Sequence, residues 1–248
     1  MKLTRTLTAL MLALAAAGSA QAIPLSTLIN GGSITAGDKL FDNWSLVNYV
    51  ASDANRTFNA ANIEVTALTD GGMAPGPGLQ FSISSGELNV SGDGVYAFVD
   101  LMFGFRASVL DPTLKIKDNS LGYTPGGGFL TWTVDPDYDL GSYIKETIGS
   151  SAGLADLGIK NIEFSQLNVA NDQSSVAKIS DTAAFSPQSE IWVTKNILVW
   201  AADTTDTAGL TGFEQRFSQT TSVPEPATLA LLGLGLLGLG YTRRQRAT

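Results

Sequence analysis

An acidic run in the middle of the chain is the strongest candidate for a metal site in this sequence. Asp135, Asp137, Asp139 and Glu146 stand at positions 1, 3, 5 and 12 of that run, which is the spacing of the oxygen ligands in a calcium loop. Leu140 occupies the position where such a loop needs a glycine for its sharp turn. We therefore do not expect an EF-hand, and we predict a looser calcium loop at a sheet edge, held by these four carboxylates.

Composition restricts the other chemistry that the chain can perform. The 248 residues include no His and no Cys, which excludes imidazole bases, thiol nucleophiles and disulfides. Ser142 and Lys145 match the catalytic pattern S-x-x-K, but its companion motifs S-D-N and K-T-G are missing from the sequence. Among 23 acidic residues no pair stands out as the two carboxylates of a glycosidase. We predict no catalytic residue, no enzyme activity and no cofactor other than calcium in the acidic run.

The aromatic residues are candidates for a second kind of site, which would bind sugars. Trp44, Trp132, Trp192, Trp200 and Tyr143 could stack on sugar rings, as in a carbohydrate-binding module. The alternative is that they anchor the core, which is the more frequent role of a buried tryptophan. Trp192 and Trp200 are eight residues apart, so they share one face of a strand. We favour the core for these tryptophans.

The elements that must position these residues are short strands. Residues 95–109 carry apolar side chains at every second position, which predicts one buried sheet face, and residues 190–201 are apolar on both faces, as in a central strand. About ten such runs alternate with Gly, Pro, Asn and Asp turns. The sequence predicts a mainly β chain, with one antiparallel β-sandwich or jelly-roll-like domain over residues 23–218. We also expect one short helix within 142–157 and a linker at 219–222.

The N-terminus has the three parts of a secretory signal peptide. Lys2 and Arg5 precede an apolar stretch, and Ala20-Gln21-Ala22 fits the small-residue cleavage signal. We predict a signal peptide over residues 1–22, followed by a mature chain that begins at Ile23.

The C-terminus also has three parts. They are the box Val223, Pro224, Glu225 and Pro226, an apolar Gly/Leu run over 227–241, and the basic residues Arg243, Arg244 and Arg246. As a helix the apolar run rises about 22 Å, which is short of the ~30 Å hydrocarbon core of a bilayer. We predict a marginal transmembrane helix at 227–242, with the arginines as a cytoplasmic stop. The alternative is a permanent membrane anchor behind a proline-flanked linker.

This tail closely resembles the PEP-CTERM sorting domain, here residues 223–248. The resemblance implies export through the Sec machinery of a Gram-negative bacterium, transient insertion into the inner membrane, and processing by an exosortase near the box. It also implies delivery to the cell surface or to an extracellular matrix of exopolysaccharide, biofilm or floc. The resemblance concerns the tail alone and does not indicate an activity for the domain in front of it.

Charge and sorting together limit the function. Five of the 15 basic residues and one of the 23 acidic residues lie in the two terminal segments, so the body between them carries a net charge of about −12. Such a surface argues against nucleic acid as a partner. We expect a non-enzymatic structural or interaction protein of the cell surface or matrix. The alternative is a carbohydrate- or calcium-binding module that uses the same export route, with exopolysaccharide as its partner.

Overall fold

The computed structural model describes residues 21–133, 138–169 and 172–222. The described chain is built almost entirely from strands, with one α-helix of five residues and one 3-10 helix (Ala60–Asn62). In chain order the elements are β1 (Ile23–Pro24), α1 (Leu25–Ile29), β2 (Ile34–Ala36), β3 (Lys39–Ala51), β4 (Ile63–Leu68), β5 (Gly78–Ile83), β6 (Asn89–Ser91), β7 (Ala97–Val109), β8 (Leu114–Tyr123), β9 (Gly128–Thr131), β10 (Tyr138–Gly149), β11 (Gly158–Val169), β12 (Asp172–Lys178), β13 (Ser180–Gln188), β14 (Glu190–Ala201), β15 (Thr207–Leu210) and β16 (Gly212–Thr221).

Two large antiparallel sheets pack face to face as a sandwich. The six-stranded sheet has the order β1-β4-β5-β16-β8-β13, and the seven-stranded sheet has the order β12-β11-β10-β14-β7-β3-β2. A small third sheet, β6-β15-β9, lies beside them. The predicted mainly β fold with an antiparallel sandwich is confirmed, with more strands among the described residues than the ten or so that the pattern suggested.

Alternation along β7 sets the buried face of the seven-stranded sheet. Val99, Leu101 and Phe103 are fully buried, whereas the residues between them are only half buried. The strand begins two residues later than predicted, because the Asp93 carboxylate accepts hydrogen bonds from the backbone N–H groups of Val95 and residue 96 and holds them in a turn. Twelve residues of β14 pair with β7 in unbroken register.

Aromatic side chains from both sheets form the centre of the core. Trp44 stacks on Phe105 with ring centroids 4.5 Å apart, and it also lies 6.3 Å from Phe81 of the opposite sheet. Phe41 contacts Phe217 across the sandwich, with centroids 5.2 Å apart. Burial of such rings contributes about 25 cal/mol per Å² of apolar area removed from water.

Two boundary predictions are wrong. Residues 142–157 contain no helix, because the side chains of 144–148 alternate with a period of two: Ile144, Glu146 and Ile148 point inward, whereas Lys145 and Thr147 point outward. Residues up to Gly149 therefore belong to β10, and those after it form the turn before β11. Residues 219–222 are not a linker, since Gln219, Thr220 and Thr221 extend β16 and pair with β8. Threonines favour strands because their branched side chains suit a pleated surface.

Candidate functional site

A groove of about 610 Å³ crosses the outer face of the seven-stranded sheet. Its floor is the row in which Thr147, Thr194 and Gly104 pair side by side across β10, β14 and β7. The turn after β10 and the irregular middle of β3 form the two sides. The lining residues are Ser45, Val47, Met102, Gly104, Phe105, Lys145, Thr147, Ala152, Gly153, Trp192, Val193, Thr194 and Asn196.

The two ends of the groove differ in chemistry. Trp192 stands at one end, half buried, so its indole is partly open to a ligand. Lys145 and Asn196 are register neighbours at the other end. Asn196 is four residues from Trp192 along β14, which is about 13 Å at 3.3 Å per residue. Lys145 is exposed and makes no ion pair among the described residues. The groove therefore offers an aromatic face, amide and hydroxyl groups, and one unneutralised cation.

A glycine keeps the floor of this groove low. A Cβ added at Gly104 would lie 3.0 Å from the carbonyl oxygen of Val193 and 3.4 Å from the hydroxyl of Thr194. The missing side chain leaves the backbone of the central strands accessible to a ligand, in a volume typical of ligand sites.

A second cluster of polar side chains lies in the core between the sheets. Glu146 of β10 is fully buried, and its carboxylate makes ion pairs with Lys160 of β11 and Lys195 of β14. Asn119 of β8 donates its amide N–H to Glu146 Oε1 at 2.7 Å, and Gln215 of β16 donates to the same oxygen at 2.8 Å. The cluster therefore joins strands of both sheets in the interior.

Burial dominates the electrostatics of this cluster. Desolvation lowers the pKa of Lys160 to about 8, against the opposing charge of Glu146, and it lowers the pKa of Lys195 as well. Burial alone would raise the pKa of Glu146, but the charges and hydrogen bonds of the two lysines outweigh it, and the pKa stays below its ordinary value. Glu146 is thus held as a carboxylate between two ammonium groups.

The two predicted calcium ligands among the described residues are not brought together. Asp139 and Glu146 lie on β10 seven residues apart, about 23 Å at strand rise, and on opposite faces. Asp139 accepts a hydrogen bond from Trp200 Nε1 at 2.6 Å, while Glu146 is neutralised by lysines, so the prediction of Glu146 as a ligand is wrong. Asp135 and Asp137 lie outside the described residues. Within the described ranges, no group of three or more acidic residues is placed to hold a metal ion.

Ser142 and Lys145 do not form a catalytic pair either, because they point to opposite faces of β10. The Ser142 hydroxyl is buried and lies 3.1 Å from that of Tyr123, whose own pKa burial raises to about 12. Lys145 faces the groove. The structure thus gives no support to the S-x-x-K pattern.

The tryptophans divide between core and surface. The core interpretation is right for Trp44, which is buried. It is wrong for Trp192 and Trp200, which lie half buried on the outer face, because the inward positions of β14 are its odd-numbered residues. Trp132 is 36% exposed. Sequence reasoning missed Asn119, Lys160 and Lys195, although both lysines occupy positions in phase with buried isoleucines, which was a usable signal.

Both terminal predictions lie outside the described part of the chain. At the N-terminus this concerns residues 1–20. At the C-terminus it concerns the sorting residues Val223, Pro224, Glu225 and Pro226, the predicted transmembrane helix at 227–242, and the basic residues Arg243, Arg244 and Arg246. In the described ranges, no helix has the length and apolar character needed to cross a membrane.

Comparison with known proteins bears on the C-terminus. Residues 222–245 match the PEP-CTERM protein-sorting motif. No curated protein matches the chain. Two solved structures share 10% identity with it: TmCBM61 in complex with β-1,4-galactotriose (TM-score 0.22, covering 73% of this chain and 89% of that chain) and TmCBM27, a carbohydrate-binding module that recognises mannan (TM-score 0.29, covering 73% and 99%). With a PEP-CTERM sorting motif behind an antiparallel β-sandwich, the chain is an exported, exosortase-sorted protein.

Proposed function

We propose that the protein is a non-enzymatic component of the extracellular matrix and that it binds exopolysaccharide in the groove of its seven-stranded sheet. The observation that carries this proposal is the placement of Trp192 at one end of the groove and of Lys145 and Asn196 at the other. A half-buried indole can stack on the apolar face of a sugar ring, and the amide and ammonium groups can hydrogen-bond to its hydroxyls.

The lining residues favour binding over hydrolysis. Cleavage of a glycosidic bond by the common mechanisms needs two carboxyl groups about 5–10 Å apart. The described residues that line the groove include Thr147, Thr194 and Ser45 but no Asp or Glu. The groove supplies stacking and hydrogen bonds, which is what a matrix protein needs to hold a polymer without degrading it.

The export route supports the same role. A signal peptide over residues 1–22 sends the chain through the Sec machinery, and the tail is held briefly in the inner membrane of a Gram-negative bacterium until the exosortase acts. The domain is then released to the cell surface or matrix, where exopolysaccharide is the abundant polymer. The lone cation of the groove offsets the overall negative charge at the point of contact.

Binding to the polysaccharide purified from the native matrix tests the proposal. We expect the processed protein to bind, and Trp192→Ala to weaken binding by about tenfold or more, equivalent to about 1.4 kcal/mol. Trp132→Ala is the matched control, because Trp132 is 36% exposed and does not line the groove. The proposal fails if Trp192→Ala binds as well as the wild type, or if both variants weaken binding equally.

A further inference from the structure

The buried cluster around Glu146 contains one more positive charge than negative charge. Lys160 and Lys195 are 2% and 0% exposed, and both pair with the same carboxylate, which is also fully buried. An ammonium ion without its own counter-ion is costly in an apolar interior. Phe81 and Phe213 face Lys195, and the hydrogen-bond acceptors of the two lysines are the Asn119 amide and the Glu146 carboxylate. A further carboxylate, Asp181, acts on Lys160 only through its charge and forms its own ion pair with Lys178.

The contacts of Asn119 place a nucleophile, an amide and a proton carrier together. Lys160 Nζ lies 2.5 Å from Asn119 Oδ1, so the amine is next to the amide carbon. Glu146 Oε1 accepts a hydrogen bond from Lys160 Nζ and another, at 2.7 Å, from Asn119 Nδ2. A single carboxylate oxygen therefore touches both the nitrogen that could attack and the nitrogen that would leave.

We propose that Lys160 and Asn119 join in an intramolecular isopeptide bond, with Glu146 as the group that transfers protons between them. The bond is a covalent modification of the folded domain and is independent of the groove.

The chemistry balances without a co-reactant. Glu146 takes a proton from the Lys160 ammonium, and the free amine forms a bond to Asn119 Cγ while the carbonyl π pair moves to Oδ1. Glu146 then gives its proton to Nδ2, and the C=O bond re-forms. The C–Nδ2 bond breaks, its electron pair stays on the nitrogen, and ammonia departs. The carboxylate next accepts the remaining extra proton from the new amide nitrogen. Release of that proton to the departing ammonia gives ammonium and restores the Glu146 carboxylate.

The pKa of Lys160 is suited to this reaction. Burial lowers it to about 8, so the neutral amine is accessible near physiological pH. After the reaction, ammonium carries the surplus positive charge away, and the core keeps one carboxylate, Glu146, facing one ammonium, Lys195. The reaction thus removes the charge imbalance of the folded precursor.

The position of the bond gives it a mechanical role. Asn119 lies on β8 of the six-stranded sheet and Lys160 on β11 of the seven-stranded sheet, so the bond links the two halves of the sandwich. The sequence has no cysteine with which to do this. A covalent link between sheets suits a protein that works outside the cell, where forces and proteases act on it.

A second buried lysine provides an internal contrast. Lys39 of β3 contacts the side-chain oxygen of Gln219 of β16, and Asp38 forms an ion pair with the same lysine. Here the carboxylate touches only the amine and makes no hydrogen bond to the amide nitrogen of Gln219. The charges are balanced one to one, and no group is placed to protonate the leaving nitrogen. We expect no bond between Lys39 and Gln219.

Peptide mapping of the full chain tests the proposal. After denaturation and trypsin digestion, we expect peptide 118–145 to be joined to peptide 146–178, with cleavage after Lys160 blocked. The joined species should weigh about 17 Da, the mass of ammonia, less than the sum of the two peptides. Tandem mass spectrometry should locate the bond at Asn119 and Lys160. Separate peptides with normal cleavage after Lys160 would overturn the proposal, and so would a link from Lys160 to Gln215 or from Lys39 to Gln219.

Two substitutions test whether Glu146 transfers the protons, separately from its contribution to the fold. Glu146→Gln should abolish the joined peptide. Asn119→Asp supplies a carboxyl group at the same place, so it should give a joined peptide of the same mass with loss of water in place of ammonia. If Glu146→Gln does not fold, the mapping of the wild type and of Asn119→Asp still decides the matter. Retention of the bond in folded Glu146→Gln would remove Glu146 from the reaction.

Discussion

The rings of Phe81 and Phe213 stack in register across the β5–β16 pair, with centroids 4.5 Å apart and planes inclined by 14°. The ammonium of Lys195 comes from the opposite sheet and lies 5.7 Å and 5.2 Å from their centroids. The two rings therefore form the apolar wall that excludes water from the charged cluster around Glu146. This contact connects the packing of the sandwich to the chemistry in its interior.

Truncation of that wall should be costly. Phe81→Ala removes a fully buried ring and should lower the free energy of unfolding by about 3–5 kcal/mol, the usual range for Phe→Ala in a core. Phe185→Ala on the edge strand β13 is the control, because Phe185 is only half buried and should cost clearly less. Chemical denaturation with a constant m-value measures both. Equal losses of unfolding free energy in the two variants would show that Phe81 contributes no more to stability than the half-buried Phe185.

The covalent bond should contribute strongly to stability. A cross-link from residue 119 to residue 160 closes a loop of about 40 residues, and the chain-entropy relation used for disulfides gives about 4 kcal/mol for it. We therefore expect Asn119→Ala to lose about 4 kcal/mol more than Gln215→Ala. Gln215 is the matched control, since its amide donates to the same Glu146 oxygen and it is equally buried. Similar losses in the two variants would argue that the bond does not form.

Removal of the cross-link should also introduce a pH dependence. In Asn119→Ala, Lys160 keeps its amine, whose pKa burial lowers to about 8 from an ordinary value of 10.5, with Glu146, Lys195 and Asp181 as its charged neighbours. The unfolded chain then binds more protons than the folded chain between these two values, so stability should rise with pH from about 8 to 10.5.

The control for this effect is the double variant Asn119→Ala/Lys160→Met, which has no amine at this position and should show a smaller rise, due only to the other buried lysines, Lys195 and Lys39, whose pKa values burial also lowers. The cross-linked wild type should resemble the double variant, because an amide nitrogen does not titrate in this range. Urea denaturation at four or five pH values measures all three proteins. A rise of the same size in the double variant would assign the effect to other groups.

The sequence was sufficient to predict the sandwich because alternation and turn chemistry are local signals. The period of two in β7 and the turn residues between runs required no knowledge of partners. The helix predicted within 142–157 is wrong although the alternation of Ile144 and Ile148 is itself a strand signal. At Gln219–Thr221 the local signal is missing, because these residues are polar and their pairing with β8 depends on long-range contacts.

The candidate sites were harder to predict because they depend on which face a strand turns inward. Trp192 and Trp200 were assigned to the core, since the sequence of β14 is apolar on both faces and does not say which one is covered. Glu146 was grouped with the preceding acidic residues by spacing, yet it points away from Asp139 and meets lysines from β11 and β14. Tertiary register, which sequence periodicity leaves undefined, decides both outcomes.

The sorting motif provides a prediction that does not depend on the sandwich. Replacement of Pro224 and Pro226 by Ala should abolish surface display, because proline has no backbone N–H and disfavours helical conformation in the residue before it, and alanine restores both. Pro112→Ala is the control, since Pro112 lies in an exposed turn between β7 and β8. Surface labelling and intact-mass spectrometry of protein from the native host measure display and trimming together. Unchanged display with an unchanged mass would show that the sorting enzyme does not recognise the box. An untrimmed chain retained in the membrane would show that processing at the box precedes release.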